Sequence, residues 1–401
     1  MTNIKLPMTT LNFNDTKTAF AHKSNNSLVR DYQIFRLINQ SWLVKFGTNT
    51  ASKLMNLGIK TPIAIGMRPT IYATFCGGDT LEDATKKINN LYEFGVQAIL
   101  DYGVEGKEEE EDFNRTENAI KQAILFAKNY DAVGIVCSKF TGLIPFSILE
   151  KMHANEPLSS EENFILEKSK KRIYGIAQLA FDNDVSLFVD AEESWIQQPL
   201  DDLTFDLMST FNKQKPIIYN TVQLYRNDRL EFFKTTAEKA KKAGFIYAAK
   251  LVRGAYMEKE EVRARKLNYE NPIQTSKENT DKDYNLALEF AIENIEHIAI
   301  CVATHNEEST LLATQLMQQN QLKNNHPHIH FSQLYGMSDN ITFNLSKAGY
   351  NSSKYMPYGP VKDVIPYLIR RAQENTSVSG QMGRELKLLK DEVRRRKLFV
   401  L

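Results

Sequence analysis

Eight short apolar runs, rich in β-branched and aromatic residues, recur between residues 96 and 358, and longer amphipathic stretches separate them. The runs are Val96–Tyr102, Ala132–Phe140, Ser186–Asp190, Ile217–Tyr225, Phe245–Val252, Ile298–Thr304, Ile329–Leu334 and Ser353–Tyr358. Helix-period segments lie between them: Asn114–Lys128, Glu162–Phe181, Arg229–Lys242, Asp281–His297, Glu308–Gln318 and Val361–Glu374. Strands that alternate with helices pair in parallel, because each return passes through a helix. Eight such units over roughly 270 residues suit a closed (βα)8 barrel, whose usual size is about 250 residues. The expected fold is therefore α/β, a TIM-type barrel, with an open doubly wound sheet as the alternative.

The flanks read differently. Residues 1–65 hold no strand runs; Ile34, Leu37, Ile38, Trp42 and Leu43 sit at helical spacing, and Leu54, Leu57 and Ile59 follow. This is an N-terminal helical arm, with a further helix expected over Thr80–Phe94 and the barrel over 66–381. Residues 382–401 read as a charged amphipathic helix, in which Leu386, Leu388, Leu389 and Val393 are available to pack on the barrel. A quinone or membrane contact is the other use for such a tail.

Composition excludes some classes of function. The net charge is +1, so no global field points to nucleic acid. Cys76, Cys137 and Cys301 are far apart and form no CxxC, which argues against a disulfide framework or a zinc knuckle and for a reducing compartment. No run of about 18 apolar residues occurs, so no membrane span is expected. Residues 1–14 lack a charged segment leading into an apolar run, and Asp15 and Asp31 interrupt any Arg-rich presequence. A cytoplasmic protein is expected.

Chemistry in such a barrel gathers at the C-terminal ends of the strands. Asp101 and Tyr102 end the first run, Lys139 the second and Asp190 the third. Gln223 ends the fourth, Lys250 and Arg253 the fifth, and Thr304, His305 and Asn306 the sixth; Tyr355 lies in the eighth. Each alone reads as an ordinary loop residue. Together they make a polar, cation-rich face suited to a ligand with several anionic groups, and a dinucleotide and a carboxylate both qualify.

On the last barrel helix, Tyr367, Arg370, Arg371 and Glu374 fall at i, i+3, i+4 and i+7 and share one face. Glu374 can brace both guanidiniums while they hold a carboxylate. A solvated basic helix end is the alternative reading. The GxGxxG fingerprint, HExxH and GxSxG are absent. His326, His328 and His330 alternate, but no cysteine or carboxylate nearby completes a metal set, so no metal is expected. The acidic run Glu108–Asp112 reads as a solvated loop leading into a helix N-terminus.

Several of these segments occur together in one known family. They are Cys137-Ser138-Lys139, Val189-Asp190-Ala191-Glu192-Glu193, Thr221-Val222-Gln223-Leu224-Tyr225 and Lys250-Leu251-Val252-Arg253-Gly254-Ala255-Tyr256. Ala303-Thr304-His305-Asn306, Gln333-Leu334-Tyr335-Gly336-Met337, and Tyr355 through the Tyr367–Arg371 helix follow in order. In these the chain resembles the monofunctional proline dehydrogenases over roughly residues 90–380. The resemblance implies a distorted (βα)8 barrel with FAD at its C-terminal face. It also implies oxidation of L-proline to Δ1-pyrroline-5-carboxylate by hydride transfer to flavin N5, with electrons passed to a quinone.

Carried over by position, Arg370, Arg371 and Lys139 would bind the proline carboxylate, and Tyr367, Leu334 and Tyr355 would pack on its ring. Gln223 and Lys250 would meet the flavin ring, with Asp190 orienting the cations and Ala191 beside it. Val252, Arg253, Gly254 and Ala255 would line the ribityl and pyrophosphate, and Thr304, His305 and Asn306 the adenosine end; Glu374 would secure the last helix within reach of FAD. The resemblance further implies a peripheral contact with the inner membrane, a mitochondrial site in a eukaryote, and a pyrroline-5-carboxylate dehydrogenase as partner.

Two positions depart from the pattern. Lys250 stands where several members carry arginine, which keeps the charge but loses the planar fork. Tyr355 stands where hydroxyproline-preferring members have a small residue, so proline is the favoured substrate. Two other readings fit the strand-end pattern: a lyase using Lys139 or Lys250 as a Schiff base, and a non-catalytic barrel that binds an anionic metabolite.

Overall fold

The β-branched runs pair in sequence order, and the last closes on the first. The structure, a computed structural model, describes residues 11–40, 61–103, 109–377 and 381–398; side chains at 61–62, 370–377 and 381–382 lie outside that description. The strands are β1 (Val96–Tyr102), β2 (Val133–Ser138), β3 (Ser186–Val189), β4 (Ile218–Gln223), β5 (Tyr247–Val252), β6 (Ile298–Ala303), β7 (Ile329–Leu334) and β8 (Ser352–Tyr358). They form a closed parallel barrel in the order β1 to β8, and the register Ile99↔Tyr355 joins β1 to β8. The chain thus folds as the expected TIM-type barrel rather than as an open sheet.

Alternation along each strand sorts the core into two layers. One set packs outward beneath the helices, including Leu100, Val136, Leu187, Val222, Leu251, Val302 and Phe331, and meets Ile124 and Phe233 of the helices. The other fills the barrel interior: Ile99, Ile135, Cys137, Phe188, Tyr219, Ala248, Ala299 and Cys301, with Tyr355 against them. Two residues further along β2, β3 and β5 the inward positions are Lys139, Asp190 and Lys250. The apolar plug therefore has a polar rim.

Helices Ser160–Asp182, Arg229–Lys242, Glu307–Gln319 and Val361–Ser377 lie where periodicity predicts them, whereas Glu110–Lys128 begins four residues before the expected Asn114 because Glu110, Glu111 and Asp112 of the acidic run form its first turn rather than a loop. A second expected helix moves: Asp281–His297 is observed as Lys277–Glu293, because the Ser276 side chain accepts the Asn279 N–H and starts it earlier. Helices Phe146–His153, Ser194–Phe211, Met257–Leu267 and Asp339–Lys347 add to the pattern.

Of the N-terminal apolar spacing, Ile34, Leu37 and Ile38 lie in helix Asn25–Ile38, whereas Trp42, Leu43, Leu54, Leu57 and Ile59 fall outside the described residues. Phe20, Leu28 and Phe35 from this region form one apolar cluster with Phe75, with Val364, Ile365 and Leu368, and with Leu388, Leu389 and Val393 of helix Gln381–Arg395. Both flanks thus pack against the last barrel helix. Among the described residues no helix is long and apolar enough to cross a membrane.

Candidate active site

Asp190 is the hub of the rim. It follows β3 and is 9% exposed. The Lys250 ammonium from β5 pairs with Oδ1, and the Tyr355 hydroxyl from β8 donates to Oδ2 at 2.7 Å. The same ammonium lies 5.6 Å from the Phe188 ring centroid and 5.2 Å from that of Tyr355, so two aromatic faces complete its cage. Burial opposes charge on both partners. The Lys250 charge, with a smaller share from Lys139, nevertheless holds Asp190 below the usual carboxylate range, and Asp190 holds Lys250 above the usual amine range. The pair is ionised. Burial and the charges of Asp101 and Asp190 push the Tyr355 phenol well up, so it stays a proton donor.

Lys139, half-buried just past β2, lies near enough for Asp190 and Glu192 to feel its charge. Glu192 was not among the expected site residues, yet it organises the loop after β3. Its carboxylate accepts Thr141 Oγ1 at 2.5 Å and the Thr141 N–H at 3.2 Å. Its N–H donates to Gln197 at 2.8 Å, and its carbonyl accepts Gln223 Nε2 at 2.8 Å. Burial pushes this carboxyl up to about 7, against the Thr141 bonds and the Lys139 charge. Gln223, at the end of β4, is thus held by its amide nitrogen. Ala191, between Asp190 and Glu192, is buried.

The β5 and β6 ends form a second group. Arg253 Nε donates to Asp281 at 2.7 Å, Nη1 to Thr304 Oγ1 at 2.6 Å and Nη2 to Ser309 Oγ at 3.0 Å. Its side chain keeps 21% exposure. Val252 and Ala255 are half-buried, and Gly254 between them is exposed with φ +148°. A Cβ there would lie 2.3 Å from the Tyr225 ring, so only glycine fits. Thr304 Oγ1 also accepts the Asn306 N–H, and Asn306 caps helix Glu307–Gln319 through the Ser309 N–H. His305 Nδ1 meets Ser338 Oγ at 2.9 Å. Asp281, Ser309 and Ser338 are partners that strand-end reasoning could not name.

Leu334 ends β7 at the edge of the apolar cluster that contains Tyr367, which is 4% exposed. Arg370, Arg371 and Glu374 lie on helix Val361–Ser377, but their side chains fall outside the described residues. The alternating histidines serve structure: His328 Nδ1 meets the Ile295 carbonyl at 2.7 Å, and His326 Nδ1 accepts the His328 N–H.

The structure therefore bonds Asp190, Lys250 and Tyr355 to one another, ties Gln223 to the Asp190 loop, and joins Arg253 to Thr304. Such a rim can hold anionic groups in fixed orientation and keep one buried cation charged.

A family model described as proline dehydrogenase matches residues 84–384. The chain is 33% identical to "Proline dehydrogenase 1, mitochondrial" of Dictyostelium discoideum, over 95% of its own length and 74% of that protein. It is 30% identical to "Proline dehydrogenase 2, mitochondrial" of Arabidopsis thaliana (97% and 91% covered) and 31% identical to a hydroxyproline dehydrogenase of Xenopus laevis (94% and 88%). Among solved structures it resembles proline utilization A from Bdellovibrio bacteriovorus, with a TM-score of 0.72 at 21% identity. That match covers 97% of this chain but spans only 40% of the bacterial polypeptide.

Proposed function

The chain belongs to the proline dehydrogenase family, and from that premise we propose that it oxidises L-proline to Δ1-pyrroline-5-carboxylate with FAD held at the C-terminal mouth of the barrel. The observation that carries the reading is the bonded set Asp190, Lys250 and Tyr355 at the strand ends of a chain of this family.

The mouth fits such a cofactor. Arg253 is braced by Asp281, Thr304 and Ser309 yet remains partly exposed, the arrangement a pyrophosphate needs. Gly254 leaves the backbone beside it bare. Gln223 and Lys250 would hold the flavin ring with Asp190 and Ala191 beside them; Val252, Arg253, Gly254 and Ala255 would hold the ribityl and pyrophosphate. Thr304, His305 and Asn306 would hold the adenosine, with Glu374 near. When bound, FAD supplies the hydride acceptor at N5 for the proline carbon next to nitrogen.

The protein's own part is grip and charge. Arg370, Arg371 and Lys139 bind the substrate carboxylate, and Tyr367, Leu334 and Tyr355 pack on the ring. A fixed near-attack geometry of this kind can contribute several kcal/mol, up to about 10. The bond to Asp190 fixes Tyr355, and a tyrosine rather than a small residue there would leave the substrate ring less room for a hydroxyl, which supports proline over hydroxyproline. Asp190 keeps Lys250 protonated, so its positive charge persists beside the cofactor. A quinone takes the electrons, which makes the protein a peripheral visitor to the inner membrane, mitochondrial in a eukaryote. The product passes to a pyrroline-5-carboxylate dehydrogenase.

The test is substitution of Arg370→Met and Arg371→Met. Each removes a charge-assisted hydrogen bond of about 1.5–3 kcal/mol, so the proline KM should rise about 10- to 150-fold while FAD stays bound. An unchanged KM removes the carboxylate assignment.

A further inference from the structure

Behind β7 and β8, away from the barrel interior, a second set of ionisable side chains is buried. Lys354 precedes the inward Tyr355 on β8, so it points the other way, and it is 0% exposed. Its ammonium contacts Asp339 Oδ1 at 2.8 Å and the Met337 carbonyl at 2.5 Å. Asp339 also receives Lys23 at 3.1 Å and His22 at 3.5 Å from the N-terminal segment, and Lys23 reaches Asp31 at 2.8 Å. From the C-terminal helix, Glu385 accepts the Ser338 N–H at 3.0 Å.

These contacts converge on one residue. Met337, Ser338 and Asp339 are consecutive: the carbonyl before Ser338, its own N–H and the carboxylate after it are all held by buried ionisable side chains. Ser338 has φ +50°, a left-handed conformation that a non-glycine residue keeps only where its surroundings enforce it. Buried ion pairs are a poor route to stability, since well-packed apolar residues of the same volume do as well. Here they surround a left-handed residue whose side chain is aimed at the rim, for Ser338 Oγ meets His305 Nδ1 at 2.9 Å.

We propose that Lys354, Asp339 and Glu385 are positioning residues that lock Ser338 in its left-handed conformation, so that its hydroxyl fixes the His305 ring for the adenosine end of the cofactor. The proposal rests on the reading of His305 as an FAD contact. It also gives both chain flanks a role at the mouth, since Lys23 and Glu385 come from opposite ends of the sequence.

The test follows FAD release from the full-length holoenzyme on dilution, read by the rise of flavin fluorescence. Ser338→Gly keeps the left-handed backbone and deletes the hydroxyl. The FAD dissociation constant should rise about five- to tenfold, the worth of one hydrogen bond. The thermal midpoint of the flavin-free protein should stay as in the wild type, which separates lost FAD contact from lost folding. Glu385→Gln, which keeps an acceptor for the Ser338 N–H, should hold FAD within about twofold of wild type; Glu385→Ala should weaken it as Ser338→Gly does. FAD affinity unchanged in Ser338→Gly overturns the proposal and leaves the flavoenzyme reading intact. A wild-type protein that takes up no flavin overturns both.

Discussion

Asp190→Asn is the substitution whose cost the geometry fixes best. Asparagine keeps the shape and the acceptor for Tyr355 but removes the anion facing Lys250. The side chains of the pair are 12% and 7% exposed, so the ammonium would be left in a cage of Phe188 and Tyr355 with little water. Removing one partner of a buried pair costs about 3–5 kcal/mol. For 401 residues, at about 2.1 cal/mol/K of unfolding entropy each, that is a fall of roughly 4–6 °C in the melting temperature. Thermal unfolding of the flavin-free protein, followed by circular dichroism, measures it. Lys250→Met in the same background removes the orphaned charge and should recover more than half of the loss, a coupling of about 2 kcal/mol or more. A fall below about 1 °C, or costs that simply add in the double variant, would refute the claim that this pair is buried and mutually dependent.

Two further outcomes follow from the same coordinates. Gly254→Ala forces a Cβ to 2.3 Å from the Tyr225 ring at φ +148°, so it should lower thermal stability by several degrees; a melting temperature within about 1 °C of wild type contradicts the backbone assignment. Glu385 is the second probe, and Asp339, Lys354 and Lys23 face it from the elements around it. Burial, reinforced by Asp339, pushes its carboxyl up to about 7 from the ordinary 4.5. The folded chain therefore holds a proton that the unfolded chain has lost between those values, and stability falls as pH rises through that window. The slope is up to about 1.4 kcal/mol per pH unit and vanishes above about 7. Glu192 adds a slope of the same sign. Denaturant titrations from about pH 4.5 to 8 should show a shallower decline in Glu385→Gln; an identical profile counts against a buried, protonated Glu385.

The barrel was readable because its strands are buried on both faces and so are continuous apolar runs. β1 and β7 match their expected limits, and the others differ by a residue or two. Other helices carry no periodic apolar stripe, for physical reasons. Asp339–Lys347 is buried at seven consecutive positions, Asp339 to Leu345, with polar and apolar residues interleaved, so no apolar stripe set against an exposed face marks it. Ser194–Phe211 carries Pro199 and buries Gln197 and Asp201 in a polar network. In Met257–Leu267 only Glu260 and Ala264 are buried.

The site was legible as strand ends but not as bonds. Tyr355 and Asp190 lie 165 positions apart and Lys250 and Asp190 lie 60 apart, separations that no local pattern encodes. Glu192 sat inside one of the family's motifs, yet its bonds to Thr141, Gln197 and Gln223 exist only once the barrel is closed.

The absorption spectrum of the purified full-length protein, recorded before and after anaerobic addition of L-proline, tests the central claim most directly. The account predicts a visible flavin band that bleaches when proline is added and returns with an external electron acceptor. A colourless protein, or a flavin band indifferent to proline, would contradict it.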